Sequence, residues 1–119
     1  MDIWTYRDET DLGVNVARGV DIVGLSVEAV DGGIGKIDEA TYDVGSSYVV
    51  VDTGSWIFGK KVMLPAGVIE RIDHENKTVF VDRTKDEIKS APEYEEHFSD
   101  DMDYRGRLGE HYDRARQLR

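Results

Sequence analysis

The stretch Tyr48-Val49-Val50-Val51-Asp52-Thr53-Gly54-Ser55-Trp56-Ile57-Phe58-Gly59-Lys60-Lys61-Val62-Met63-Leu64-Pro65 places two apolar runs around an aromatic-bearing turn. Tyr48 to Asp52 is too short for an ordinary helix and mostly β-branched, which predicts a strand buried on both faces. Lys60 to Leu64 predicts the next strand, closed by Pro65, which cannot donate to a ladder. Gly54 and Gly59 read as structural turn glycines, Gly59 where a strand begins and a side chain would obstruct close backbone approach.

Working outward, the same chemistry repeats at close spacing. Ile22 to Val30 is apolar with interruptions, and Asp31-Gly32-Gly33 supplies residues suited to a tight reversal into a second strand, Ile34 to Tyr42. Gly35, just inside that strand, reads as a second close-approach glycine. Downstream, Gly67 permits a turn into Val68 to Asp73, and His74-Glu75-Asn76-Lys77 connects by a hairpin to Thr78 to Asp82, with Asn76 suited to a left-handed conformation. Thr84-Lys85-Asp86-Glu87 has the spacing of a capping box and predicts a short helix stopped by Pro92. Short strands at such spacing predict an all-β barrel or sandwich, and the absence of βαβ alternation argues against nucleotide-binding α/β folds.

The chain has 119 residues, which predicts one domain that removes roughly two thirds of its unfolded surface from water. It has no cysteine, so packing must supply the stability, and a reducing cytoplasm is the expected setting. No apolar run approaches the roughly 20 residues of a membrane span, and the opening residues carry no export pattern. The formal net charge is -10, which opposes non-specific nucleic-acid binding, since phosphate neutralisation by Lys and Arg supplies most of that affinity.

The ordered set of motifs resembles the PRC-barrel domain, a module named for the cytoplasmic part of the H subunit of photosynthetic reaction centres. Its carriers are Asp31-Gly32-Gly33-Ile34-Gly35-Lys36-Ile37, Tyr48 to Gly54, and Phe58-Gly59-Lys60-Lys61-Val62-Met63-Leu64-Pro65-Ala66. Arg71-Ile72-Asp73, Val79-Phe80-Val81-Asp82 and Thr84 to Tyr94 continue it. The opening Asp2-Ile3-Trp4-Thr5-Tyr6-Arg7 is similar to stand-alone versions of the domain in Gram-positive, high-GC bacteria. The resemblance implies a small PRC-type β-barrel over residues 20–94, with a short C-terminal helix and flexible terminal extensions. It also implies an adaptor, since family members dock onto reaction centres, ribosome-assembly intermediates or cell-division machinery. The resemblance is expected to extend neither to the transmembrane helix of the reaction-centre subunit nor to the separate domain that precedes the barrel of the ribosome maturation factor.

Several local patterns imitate chemistry without completing it. Gly32, Gly33 and Gly35 resemble a phosphate loop, yet no Gly-Lys-Ser/Thr ending follows. Lys60-Lys61 reads as a solvated strand edge rather than an anion site. Asp73-His74-Glu75 sits in a hairpin turn with no nucleophile elbow, so His74 reads as a surface residue. Asp101-x-Asp103-x-Arg105-Gly106 begins like a calcium loop, but Arg105 takes the fifth position and Tyr112 the twelfth, where a glutamate belongs. His97 and His111 lack partners at metal-ligand spacing. No catalytic residue, metal or cofactor is expected.

The ends supply the remaining candidates. In the arm, residues 1–19, Trp4 and Tyr6 would share a face if extended, so the arm either docks as an added edge strand or is a disordered end. The tail, residues 95–119, turns from acidic to basic, and Leu108, Tyr112, Ala115 and Leu118 recur at near-helical spacing, which predicts a short helix after Gly109 or a frayed extension. Trp56, Ile57 and Phe58 cannot all face one barrel interior, and the strand from Tyr48 to Val51 also needs cover on two faces. The arm, the tail or a second subunit can provide it. A homodimer with Trp56, Ile57, Phe58, Trp4 and Tyr6 at its interface is the expectation, together with an unidentified protein partner. The alternative function is an accessory in RNA metabolism or ribosome assembly that acts through a ribosomal protein.

Overall fold

Val49, Val50 and Val51 are all buried, so one short run of β-branched residues anchors packing on both faces of a sheet. The computed structural model describes residues 3–4, 6, 22–41, 47–54, 60–92, 94 and 101–117, with side chains as far as 113. Its strands are β1 (Ser26–Ala29), β2 (Gly32–Ala40), β3 (Tyr48–Asp52), β4 (Lys61–Pro65), β5 (Ile69–Asp73) and β6 (Thr78–Val81). Two helices follow, α1 (Lys85–Lys89) and α2 (Met102–Gln117). The sheet is six-stranded and mixed, in the order β4-β3-β2-β1-β6-β5, with β1 and β6 parallel and the other neighbours antiparallel. β4 and β5 are its edges, so the ladder does not close on itself among the described residues. A buried 3-10 turn, Ala66–Val68, joins one edge strand to the other.

Register shifts at Val27/Glu28, Ile37/Glu39 and Ile69/Arg71 bend the sheet and increase its twist. Gly35 lies at the first of these. Its φ is 150°, and a Cβ there would stand 2.0 Å from the Asp52 carbonyl oxygen on β3. Close approach of β2 to β3 therefore requires glycine, as the sequence predicts.

Two turns differ from expectation. The first reversal is made by Val30 and Asp31, and Gly32-Gly33 already belong to β2. The turn is held from outside: the Val30 N–H donates to the Arg83 carbonyl at 3.0 Å, and the Asp31 carboxylate accepts from the Lys85 N–H at 2.8 Å. Gly32 has φ 144°, whereas Gly33 needs no positive φ. In the β5–β6 hairpin Lys77, not Asn76, takes the left-handed conformation, with φ 53°. Asn76 is engaged by Asp73, whose carboxylate accepts from its N–H at 3.0 Å and its side-chain amide at 2.8 Å. Pro65 ends β4 opposite Tyr48, and Gly54 turns the chain after β3 with φ 57°.

The capping box forms as expected. Thr84 Oγ1 accepts from the Glu87 N–H at 3.2 Å, and Glu87 Oε1 accepts from the Thr84 N–H at 3.1 Å. The tail helix is longer than its sequence suggests and starts before Gly109. Asp101 Oδ1 accepts from the N–H groups of Asp103 and Tyr104 at 2.9 and 3.1 Å, so the acidic cluster that imitates a calcium loop begins a helix. Tyr104, Leu108 and Tyr112 recur every fourth residue and are buried in the same core as the sheet, which outweighs the helix-weakening Gly106 and Gly109.

The described arm residues also belong to this core, through a turn rather than an added strand. The Ile3 carbonyl accepts from the Gly67 N–H, and the Trp4 carbonyl from the Ser47 N–H, both at 2.7 Å. A Cβ on Gly67 would lie 2.7 Å from the Ile3 oxygen. The Arg105 guanidinium of α2 stacks 4.5 Å from the Trp4 ring and 5.4 Å from that of Tyr48. Tyr48 and Val50 share one face of β3 by alternation, so α2 covers that face from within the chain.

Candidate functional site

β4 carries Val62 and Met63 along one edge of the sheet, and α1 with the segment leaving it brings Ile88, Ala91, Pro92 and Tyr94 opposite. Between them lies a cleft of about 360 Å³. α1 is set there by its capping box and by the bond from Lys85 to Asp31, and Tyr94 is set by its ring contact with Tyr104, 6.2 Å between centroids. Met63 and Ile88 are buried and form its floor. Lys60, Lys61 and Lys89 form its rim. Lys61 Nζ is held 2.8 Å from Asp38 Oδ2, and the Lys60 carbonyl accepts from Thr53 Oγ1 at 2.6 Å, which fixes the main chain where the rim begins. An apolar floor below amino groups can hold an apolar side chain and a neighbouring anion together.

Beside the cleft, a buried polar cluster connects α1, α2 and the sheet. Arg83 is 1% exposed; its guanidinium pairs with Asp82 Oδ1 and donates to the Asp82 carbonyl at 3.2 Å and to the Tyr112 carbonyl at 3.2 Å. His111 Nε2 lies 2.7 Å from the Glu87 carbonyl, joining the two helices. Burial, with the neighbouring Tyr104 adding to it, pushes the Tyr112 hydroxyl far above the ordinary phenol range. The Tyr104 hydroxyl is likewise raised by burial and by Tyr94. Both tyrosine hydroxyls stay un-ionised inside the core.

The sequence candidates fall in several places. Trp4 is half-buried against α2, and the half-buried Tyr6 donates its hydroxyl to the Thr41 carbonyl at 2.8 Å, so both are engaged within the chain. Trp56, Ile57, Phe58, Gly59 and His97 lie outside the described residues. His74 is exposed at the β5–β6 turn, far along the sheet order from β4. Lys60 and Lys61, read from sequence as a solvated strand edge, lie at the start of the edge strand β4, with Lys60 exposed, and also line the cleft. Sequence reasoning missed Lys89, Tyr94 and Arg83; the capping box that fixes α1 was the one signal pointing toward the cleft.

Among the described residues, no helix is long and apolar enough to cross a membrane. Neither a protein-family model nor a curated protein matches this chain.

Proposed function

We propose that this chain is a non-enzymatic protein-interaction module built on a PRC-type β-barrel, acting as an adaptor in the cytoplasm and associating with itself as a homodimer. The cleft between β4 and α1 carries the reading, because an apolar floor framed by charged rim groups is the anatomy of a surface that anchors a partner side chain. Support for the barrel comes from the register shifts that bend the sheet and from the three-residue turn that takes the chain directly from edge strand β4 to edge strand β5. The capping-box helix after the last strand agrees with the order of motifs in the resemblance. The homodimer rests on the sequence Trp56-Ile57-Phe58, which offers more apolar surface than one interior accepts.

Affinity capture of the tagged full chain from native lysate, with quantitative mass spectrometry, tests the adaptor. A protein partner retained after RNase treatment is the expected result, and recovery of the chain alone would overturn it. Loss of the partner on RNase treatment would favour the route through ribosomal particles. Light scattering tests the dimer, with Trp56→Ala and Phe58→Ala expected to give monomers; a wild-type monomer at high concentration would remove it.

A further inference from the structure

The arm and the tail helix fit into one another. Trp4 rests against Arg105 and Gly109, which lie one turn apart on α2: the Arg105 guanidinium stands 4.5 Å from the indole, and a Cβ on Gly109 would stand 3.0 Å from its Nε1. Gly109 is therefore a notch that admits the indole, which accounts for a residue of low propensity inside a helix. A Cβ on Gly106 would meet open space. Behind the indole, the main chain of the arm is fixed by the bonds of Ile3 to Gly67 and of Trp4 to Ser47, both at 2.7 Å.

From α2 the contacts continue to the cleft. The Tyr104 ring packs on Tyr94, and its hydroxyl donates to the Pro92 carbonyl at 3.4 Å. Pro92 and Tyr94 both line the cleft above the buried Met63. The strands are held in ladders, whereas α2 meets the rest of the chain through side chains: Tyr104, Leu108 and Tyr112 in the core, Arg83 on the Tyr112 carbonyl, and His111 at the Glu87 carbonyl. Its opposite face, with Asp103, Arg107, Glu110 and Asp113, is exposed. A helix that contains two glycines and docks by one face belongs to the low-stability end of a fold. α1 is bound separately to the first hairpin, through the bond from the Lys85 N–H to Asp31.

We propose that Ile3 and Trp4, α2, and Pro92 with Tyr94 form one cooperative unit that opens apart from the sheet, with Trp4 as the clasp that sets how far the cleft is open. Loss of the Trp4 contact frees α2, α2 releases Tyr94 and Pro92, and the wall that covers Met63 withdraws. By linkage, anything that braces Tyr94 in the cleft tightens the hold of α2 on the arm. Use of the cleft by a partner is the reading given above; the opening unit is tested on the chain alone, so either can fail without the other.

The test is native-state hydrogen exchange of the full chain by mass spectrometry, together with peroxide oxidation of its methionines. Met63 sulfoxide reports the floor of the cleft, and the exposed Met102 is the internal standard. Trp4→Ala should speed both exchange across residues 102–112 and oxidation of Met63 by roughly tenfold or more, while the amides of β1 and β6 and the oxidation of Met102 keep their rates. The two glycines give the sharper comparison. Gly106→Ala should slow exchange in α2 about fivefold through helix propensity alone. Gly109→Ala brings the same propensity but presses on Trp4, so it should speed exchange in the wild-type background and slow it in Trp4→Ala. An unchanged Trp4→Ala, or a Gly109→Ala that behaves like Gly106→Ala in both backgrounds, would remove the clasp. Faster exchange in α2 with Met63 oxidation unmoved would overturn the link to the cleft, and a rise shared equally by β1 and β6 would replace the separate unit with global unfolding.

Discussion

Arg83 donates a guanidinium N–H to the Tyr112 main-chain carbonyl across 3.2 Å, tying the end of the sheet to the interior of α2. The carbonyl of the same residue accepts from Val30, so Arg83 joins the first hairpin, the strand region and the tail helix. Replacing it leaves a helix carbonyl and the Asp82 carboxylate without their cation. Arg83→Met should therefore cost about 3 kcal/mol in urea unfolding, well beyond a surface arginine change. An unchanged midpoint would show that Arg83 does not hold α2 in place.

The Tyr112 hydroxyl is buried and finds no hydrogen-bond partner among the described residues. A buried hydroxyl without a partner has lost its water for nothing in return. Tyr112→Phe should leave stability unchanged or raise it by up to about 1 kcal/mol, measured by thermal and urea unfolding. A clear loss would reveal a partner for this hydroxyl.

Gly35 and Gly67 should respond differently to the same methyl group. At Gly35 the obstacle is the main chain of β3 and the backbone has positive φ, so Gly35→Ala should cost about 3 kcal/mol or prevent folding. At Gly67 the obstacle is the Ile3 main chain, which belongs to the arm rather than to the sheet. Gly67→Ala should cost about 1 to 2 kcal/mol in the full chain and almost nothing once residues 1–6 are removed, a coupling that a double-mutant cycle reads directly.

Asp73 shows a pH dependence with a defined sign. The hydrogen bonds from Asn76, first its side-chain amide and then its N–H, favour the carboxylate and hold it below the usual aspartate range. Its contribution to stability is complete above the unfolded-state value of about 4 and is lost as pH falls through the lowered folded-state value. Asp73→Ala should lower the melting temperature at neutral pH, and the gap to wild type should shrink below about pH 4. A gap that persists in strong acid would assign the effect to something other than the carboxylate.

The features legible in the sequence are those fixed by neighbours along the chain. Tyr48–Asp52 reads as a strand buried on both faces because three consecutive valines leave few alternatives, and Thr84 with Glu87 reads as a helix start because both donors are met locally. The turn at Val30–Asp31 was misread because its stabilising bond comes from Lys85, 54 positions away. The extent of α2 was hidden by Gly106 and Gly109, whose low propensity is overridden by burial of Tyr104, Leu108 and Tyr112. Arg83 gave no warning, since arginines are seldom fully buried. The cleft was illegible for the same long-range reason: its walls, Lys60–Met63 and Ile88–Tyr94, meet only in the folded chain, and Lys60-Lys61 alone looks like a soluble edge.

Site-specific photo-crosslinking in living cells tests the central claim most directly. A benzoylphenylalanine at Ser90, an exposed position beside the cleft, is compared with one at Glu75, exposed at the β5–β6 turn. A binding module that uses the cleft gives a discrete crosslinked protein from position 90 and none from position 75. A crosslink from position 75 alone, or no crosslinked protein from position 90, would contradict it.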